Sequence, residues 1–447
     1  MEKMMLKAKK FSNVQIVSLG YFCVSLVGTI LLLLPISSHG ETTVLQAIFT
    51  AVSASCVTGL VLVDTATHWT LFGQIVILLL IQVGGMGFMT IGIRFMQFFR
   101  KRISLREKEM MVEAINATRL GGITNFAKRI VTGTLIVEGI GALCLSIKFI
   151  PEFGLGKGIF YSIFHSISAF CNAGFDLMGI KQPYDSLLSY AGDPWVNFVI
   201  MMLITLGGLG FFVWEDILHN KKNWKKYYLH TKIVLLMSAI LTFGGAIAFF
   251  WMETKGTGAD LNLWERSVTA LFQSVTCRTA GFNTVDTAAL TDGSKILSMI
   301  LMLIGGSSGS TAGGIKTTTI AVLLLFTIAG ARGNSRPSLF GRSIEPEALQ
   351  KAVAIFVINI FFVLGASFLI CAWEGLAGMD VLFETFSAMG TVGMSTGITR
   401  SLGTGSASLI ALIMFFGRVG SVSLTGALLD TSKAKKIMVP TEKIMIG

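Results

Sequence analysis

The chain alternates long apolar stretches with short polar segments that hold most of its charged residues. A helix needs about 20 predominantly apolar residues to cross the hydrocarbon core of a bilayer. Eight stretches serve as candidate spans, with one interrupted stretch counted once: 14–36, 71–93, 130–150, 196–214, 233–252, 296–304 with 318–330, 352–373 and 407–429. The pattern therefore predicts an all-α polytopic membrane protein.

A shorter segment with one recurring pattern separates the two spans of each pair. An apolar and aromatic run comes first, small hydroxylated residues follow, and a glycine ends the pattern. The glycines recur 107 to 115 residues apart, at Gly59, Gly174, Gly281 and Gly393. Each quarter of the chain is then a span, a short helix, an extended glycine segment and a span. We expect four tandem repeats of this unit and a C-terminal tail, with boundaries at 1–110, 111–225, 226–343, 344–430 and 431–447.

The short helix and the glycine constrain where each repeat can lie. A helix of about 10–12 residues cannot span the membrane, and extended backbone at membrane depth is tolerated beside a water-filled cavity. Glycine allows positive φ, which turns carbonyl groups toward a shared axis where they can replace the hydration shell of a cation. For any one glycine, a turn between helices is the simpler alternative. Four in register predict a pseudo-fourfold arrangement around one central pore, lined by Val57, Thr58, Gly59, Asn172, Ala173, Gly174, Thr279, Ala280, Gly281, Thr391, Val392 and Gly393.

The sixth predicted span is interrupted by a loop of small residues. These residues are Gly305, Gly306, Ser307, Ser308, Gly309, Ser310, Thr311, Ala312, Gly313 and Gly314. Unpaired amides facing lipid would cost several kcal/mol each, so the loop must lie inside the protein, most naturally beneath the pore lining. The loop nearly spells a nucleotide-binding motif, but Ile315 separates its last glycine from Lys316 and no strand precedes it. We therefore exclude nucleotide binding here.

Charge placement indicates the orientation of the chain and its surroundings. The net charge is +11, and the basic residues cluster in alternate loops, which places those loops and both termini in the cytoplasm. The basic charge then indicates membrane lipid and not nucleic acid as the partner. Arg418 and Glu138 lie inside predicted spans. Arg418 either acts in the pore or extends to the inner interface, Lys316 either acts there or anchors at the interface, and Glu138 either pairs in the bundle or marks a helix interface.

Other classes of function fit the sequence less well. A membrane enzyme needs a group of acids, histidines or cysteines at membrane depth, and the sequence offers none. Its six cysteines show no C-x-x-C pair, so we expect neither a metal site nor a disulfide framework. An alternating-access carrier for Na⁺ or an organic solute remains an alternative, although such carriers usually have two repeats that are often inverted.

Eight stretches together resemble the Trk, Ktr and HKT superfamily of potassium transporters. They are SASCVTGL (53–60), IQVGGMGFMT (81–90), HSISAFCNAGF (165–175), LITLGGLGF (203–211), TCRTAGFN (276–283), GGSSGSTAGGIKTTT (305–319), SAMGTVGM (387–394) and GRVG (417–420). The similarity covers about residues 12–430, and the compact length is most similar to the membrane subunit of the bacterial Ktr branch.

The resemblance implies potassium uptake through a selectivity filter, with residues 305–319 as an intramembrane gate toward which Arg418 points. Glycine at Gly59 favours potassium over sodium, although a sodium-permeable or sodium-coupled cation carrier stays an alternative. The resemblance also implies a homodimer in the bacterial cell membrane on a cytosolic ring of Rossmann-like nucleotide-binding subunits. K⁺ is the transported ion, Na⁺ dependence is open, and no organic cofactor is expected. Basic segments 100–108 and 221–226 are candidate contacts for that ring or for anionic lipid.

Overall fold

A computed structural model describes residues 13–87, 90, 122–333 and 337–420 of the 447-residue chain. Within these ranges the protein is mostly helical, and its only paired strands form a small antiparallel hairpin of β1 (Ser338–Leu339) and β2 (Arg342–Ser343). The predicted basic segment 100–108 and the predicted tail 431–447 lie outside the described residues.

Each quarter of the chain begins with a long helix that is followed by a shorter one. The first quarter holds α1 (Asn13–Leu32), α2 (Val44–Ser55), α3 (Thr65–His68) and α4 (Leu71–Met86). The second holds α5 (Ile123–Phe153), α6 (Leu155–Cys171), α7 (Pro194–Leu209) and α8 (Phe211–Asn220). The third holds α9 (Leu229–Met252), α10 (Leu263–Thr276), α11 (Asp292–Leu303) and α12 (Thr317–Ala331). The fourth holds α13 (Pro346–Glu374), α14 (Gly378–Gly390) and α15 (Thr404–Val419).

Several of these helices suit a bilayer. In the described part of the chain, α1, α5, α9 and α13 are each long and apolar enough to cross a membrane. Their outer faces expose large apolar side chains such as Leu143, Ile247 and Phe361, which are 71%, 71% and 76% exposed. Exposed apolar surface on this scale is typical of a face that contacts lipid or another protein. Helices α4, α12 and α15 are also apolar but shorter, and the predicted spans 71–93 and 407–429 extend into residues that are not described.

The predicted span at 196–214 is not a continuous helix but falls on two helices that together are long and apolar enough to cross a membrane. Helices α7 and α8 meet at Gly210 and are bent by 92°. Gly210 has a φ of +94°, and a Cβ there would lie 2.8 Å from the carbonyl oxygen of Ser308. The amide of Phe211 donates a hydrogen bond of 2.8 Å to the carbonyl of Gly309. The chain turns here because the loop at 305–314 packs against the glycine and takes the hydrogen bonds that a continuous helix would keep.

Sequence-local signals explain the short helices. Helix α2 begins with a capping box, in which Thr43 accepts from the amide of Gln46 while the Gln46 side chain accepts from the amide of Thr43. Helix α10 begins with the same device, built from Asn262 and Glu265. Such caps satisfy amides that have no partner within the helix. These two short helices therefore have a defined start, whereas α6 and α14 begin without a side-chain cap.

Glycines in the helices that follow hold these short helices in place. A Cβ at Gly84, Gly207 or Gly417 would lie within 2.2 Å of a carbonyl oxygen in the last turn of the short helix of the same quarter. Only a residue without a side chain permits that approach. The glycines of the GGMGF, GGLGF and GRVG stretches therefore serve close packing, as the sequence indicated.

Candidate functional site

The four repeated glycines meet in a closed ring. A Cβ placed on Gly59, Gly174, Gly281 or Gly393 would lie 2.5, 2.8, 2.2 or 2.1 Å from a carbonyl oxygen of the neighbouring glycine segment. In each case the oxygen belongs to the residue just before the next glycine in that order, and the contact from Gly393 to Thr58 closes the circle. Glycine is required at all four positions because any side chain would push a neighbouring carbonyl away.

The backbone conformation of the four glycine segments (57–59, 172–174, 279–281 and 391–393) is also shared. The glycines have φ values of +96°, +68°, +83° and +93°. The residue two positions earlier also has a positive φ in each segment: Val57, Asn172, Thr279 and Thr391, at 59°, 59°, 73° and 51°. A non-glycine residue in this region costs on the order of 1 kcal/mol or more, so the surrounding packing must hold all four. All members of these segments are buried except Gly393, which is partly exposed.

Small hydroxylated side chains of the short helices hold the glycine segments. Ser53 accepts a hydrogen bond of 3.0 Å from the amide of Gly59, and Ser387 accepts one of 3.1 Å from that of Gly393. In the second quarter Ser168 donates instead to the carbonyl one residue beyond its glycine, at 2.7 Å. Thr276 makes the corresponding bond in the third quarter, also at 2.7 Å. The hydroxylated positions that repeat in the sequence thus fix the backbone of the ring.

Three hydroxyl groups in the glycine segments are left without partners. The side-chain oxygens of Thr58, Thr279 and Thr391 are buried and have no hydrogen-bond partner among the described residues. A buried hydroxyl without a partner is costly, so such groups call for water or an ion. Their position next to the ring of carbonyls suits a path for a partly dehydrated cation.

The loop at 305–314 lies against the glycine segments and the ends of the short helices. Thr311 donates a hydrogen bond of 3.1 Å to the carbonyl of Phe170 in the last turn of α6. A Cβ on Gly313 would lie 2.0 Å from the hydroxyl oxygen of Thr391, and one on Gly305 would lie 3.2 Å from the side chain of Thr279. The loop therefore contacts two of the four glycine segments directly.

Two basic side chains bind the same loop through its carbonyl groups. Lys316 donates to the carbonyls of Ala312 and Gly313, at 2.6 and 3.3 Å. The guanidinium of Arg418 donates to the carbonyl of Thr311 and, from its other nitrogen, to the carbonyl of Gly84. Arg418 thus joins the loop of the third quarter to the end of α4 in the first. Both side chains therefore bind backbone carbonyls within the described part of the protein.

Glu138 both pairs within the bundle and joins helices. Its carboxylate accepts hydrogen bonds of 3.0 and 3.1 Å from the amide of Gln82 in α4. Ser166 in α6 donates to the backbone carbonyl of Glu138 at 2.6 Å, and the side chain is only 4% exposed. The contact ties α5 to α4 and α6 behind the second glycine segment. The sequence left this pairing open, because nothing local indicates which helix supplies the partner.

An outer loop of the second quarter reaches the other three quarters. The amide of Tyr184 donates to Asp64 at 3.0 Å, and the amide of Asn283 donates to Ser186, also at 3.0 Å. The guanidinium of Arg400 lies 3.6 Å from the centre of the Tyr184 ring. Tyr184 and Ser186 both have positive φ, at 63° and 51°. We call residues 184–187 the outer strap; the sequence analysis did not single it out, and the P-Y-D-S turn residues at 183–186 are the only local signal for it.

Comparisons with known proteins agree on one family. A family model described as "TrkH: Cation transport protein" matches residues 8–435. The chain is 39% identical to Ktr system potassium uptake protein B of Bacillus subtilis, over 99% of this chain and 98% of that protein. It is 41% identical to the potassium/sodium uptake protein NtpJ of Enterococcus hirae, over 98% of each.

A solved structure shares the fold. The crystal structure of the potassium transporter TrkH from Vibrio parahaemolyticus superposes with a TM-score of 0.75, covering 96% of this chain and 87% of that one. The two sequences are 18% identical, so this likeness concerns the fold alone.

Proposed function

We infer what this chain does from the family to which it belongs, the TrkH cation transport proteins. It is a potassium uptake protein of the Ktr and Trk type, a multi-pass membrane transporter and not an enzyme. The resemblance that the motifs indicated is thereby confirmed.

We propose that K⁺ crosses the membrane through the ring formed by the four glycine segments. The observation that carries this proposal is the contact of every glycine with a carbonyl oxygen of the next segment. Four carbonyls at this level would replace water around a dehydrated K⁺, assisted by the negative ends of the four short helices. On this proposal the quarters 1–110, 111–225, 226–343 and 344–430 surround one pore with pseudo-fourfold symmetry.

The loop at 305–314 is proposed to be the gate beneath that ring. Its carbonyls accept hydrogen bonds from Lys316 and Arg418, and the positive charge of Arg418 beside the pathway opposes the passage of a cation. Opening would require the loop to leave the carbonyl contacts of these side chains. Movement of a glycine-rich segment is a low-barrier way to achieve this.

The remaining expectations are part of the same proposal. The chain would form a homodimer in a bacterial cell membrane with both termini in the cytoplasm, on a cytosolic ring of nucleotide-binding subunits. The printed name of NtpJ joins potassium and sodium, which favours sodium permeation or sodium coupling as the second candidate. That candidate and the selective filter differ in one measurable quantity, the preference for K⁺ over Na⁺.

The test is K⁺ uptake into proteoliposomes that contain only this purified chain, with Na⁺ as competitor. Electrogenic K⁺ flux that Na⁺ barely inhibits is the expected result. Equal flux of both ions would refute a selective filter and support the sodium-permeable candidate. Flux that requires a Na⁺ gradient would support coupling. If the chain alone gives no K⁺ flux, the same assay is repeated with a cytosolic ring subunit. No K⁺ flux under that condition either would refute the proposal.

A further inference from the structure

One position in the four short helices has the same register relative to the ring. Thr50, His165, Phe272 and Glu384 each lie nine residues before the glycine of their own quarter. All four side chains are buried, at no more than 1% exposure. The four residue types nevertheless differ, so the residue at this position makes different contacts in different quarters.

In the second quarter the residue at this position binds the chain beyond the glycine. His165 accepts a hydrogen bond of 3.3 Å at Nε2 from the amide of Leu177, which lies three residues after Gly174. An amide can only donate, so Nε2 carries no proton and Nδ1 must donate to the carbonyl of Tyr161, 2.8 Å away. The ring is therefore neutral and is fixed at both nitrogens.

In the fourth quarter an acid makes the equivalent contact. Glu384 accepts a hydrogen bond of 3.0 Å at Oε1 from the amide of Thr396, which again lies three residues after its glycine. The hydroxyl groups of Ser395 and Thr399 donate to the two carboxylate oxygens at 2.6 and 2.5 Å. Three donors from one short segment thus converge on a single buried carboxylate.

The other two quarters do not use this position. The hydroxyl of Thr50 is buried and has no hydrogen-bond partner among the described residues, and Phe272 has no polar atom to offer. The outer strap contacts these quarters through Asp64 in the first and Asn283 in the third. Gly174 and Gly393 contact Gly59 and Gly281 but not each other, so the two quarters with His165 and Glu384 are opposite in the ring.

We propose that His165 and Glu384 are positioning residues that fix the outer limbs of two opposite glycine segments and so keep the carbonyl ring selective for K⁺. This inference rests on the proposed filter. Each residue accepts a hydrogen bond from a backbone amide three residues after a ring glycine. A ring with loosened limbs can close around a smaller ion, and its discrimination against Na⁺ then falls.

The experiment compares substitutions at Glu384 in the proteoliposome assay with Na⁺ as competitor. Glu384→Ala is expected to lower the K⁺ over Na⁺ preference by about tenfold or more. Glu384→Gln should retain the preference within about threefold, because its amide oxygen still accepts from the Thr396 amide. Equal losses in both variants would show that charge and not position matters and would overturn the proposal. Unchanged selectivity in Glu384→Ala would overturn it as well.

His165 supplies an independent pair in case Glu384→Ala does not fold. Glutamine places its side-chain oxygen where Nε2 lies and can still accept from Leu177, whereas asparagine is too short to reach it. His165→Gln is therefore expected to keep the selectivity that His165→Asn loses, although both remove the ring. Identical behaviour of the two variants would contradict the proposal.

Two controls separate this inference from the proposed function. Thr50→Val changes a buried residue in the same register that makes no such contact, and it should leave selectivity unchanged. Gly59→Ser disturbs the ring itself. Loss of selectivity in Gly59→Ser without loss in Glu384→Ala would refute the positioning role alone, whereas no K⁺ preference in the unmodified chain would refute the filter.

Discussion

Replacement of Gly59 by serine tests the ring most directly. The φ of Gly59 is +96°, where a residue with a side chain is strained by about 1–3 kcal/mol. Its new Cβ would lie 2.5 Å from the carbonyl oxygen of Ala173, whereas ordinary contacts begin at 3.4 Å. The two atoms must therefore separate by about 0.9 Å, and rigid packing around the segment transmits that shift to the carbonyl. We expect one of the four ring carbonyls to leave its place.

The expected loss is measurable as a ratio of ion preferences. If the displaced carbonyl removes about 1–2 kcal/mol of K⁺ preference, the K⁺ over Na⁺ ratio falls by about 5–30-fold. The assay is K⁺ uptake into proteoliposomes over a series of external Na⁺ concentrations. Gly154→Ser is the matched control, because Gly154 has a φ of +79° but no neighbour within 4 Å of a Cβ. Unchanged selectivity in a folded Gly59→Ser protein, or an equal loss in Gly154→Ser, would refute the reasoning.

Three further predictions concern the proposed gate and the packing of the helices. Arg418→Gln removes the charge that joins the carbonyls of Thr311 and Gly84, so basal K⁺ flux without a partner should rise severalfold; unchanged flux in a monodisperse preparation would contradict the gate. Glu138→Ala leaves the partly buried amide of Gln82 without its acceptor and should destabilise the protein by about 1–3 kcal/mol, whereas Glu138→Gln should cost less. Thermal unfolding in detergent measures both, and equal midpoints would count against the pairing. Burial raises the pKa of Asp193. Hydrogen bonds from Lys148 and from the amides of Val196 and Trp195 together lower that pKa by more than burial raises it, so the pKa lies below its ordinary value. Its stabilising contribution is therefore present above that ordinary value near pH 4 and is lost as the pH falls through the depressed pKa. Asp193→Ala should cost about 1 kcal/mol at neutral pH, and its deficit in thermal midpoint should shrink below pH 4; a constant deficit would oppose this assignment.

The sequence predicted the features that depend on local chemistry. Each short helix ends before a glycine whose positive φ the pattern implied, and Gly59, Gly174, Gly281 and Gly393 all have it. The sequence showed that these four glycines are equivalent because the same local unit occurs four times. The ring is closed by the contact of Gly393 with Thr58, which joins the fourth repeat to the first. This contact is visible only in the folded chain.

The features that the sequence did not predict depend on contacts with backbone groups far away in the sequence. Arg418 binds carbonyls 107 and 334 residues away in sequence, and since every residue has a carbonyl, no residue type marks the partner. The break at Gly210 was missed because residues 196–214 are mostly apolar and the loop at 305–314 that packs against Gly210 is distant in sequence. The roles proposed for His165 and Glu384 had a usable signal, their common distance from the glycine, but their unlike side chains concealed it.

The ring of glycine contacts belongs to one polypeptide, and this has a genetic consequence. In an assembly of four identical subunits, a substitution enters every quarter at once, so most changes to the lining are made fourfold. Here a single codon changes one quarter and leaves three intact. Each quarter can therefore be changed separately, and one register already holds four different side chains, those of Thr50, His165, Phe272 and Glu384.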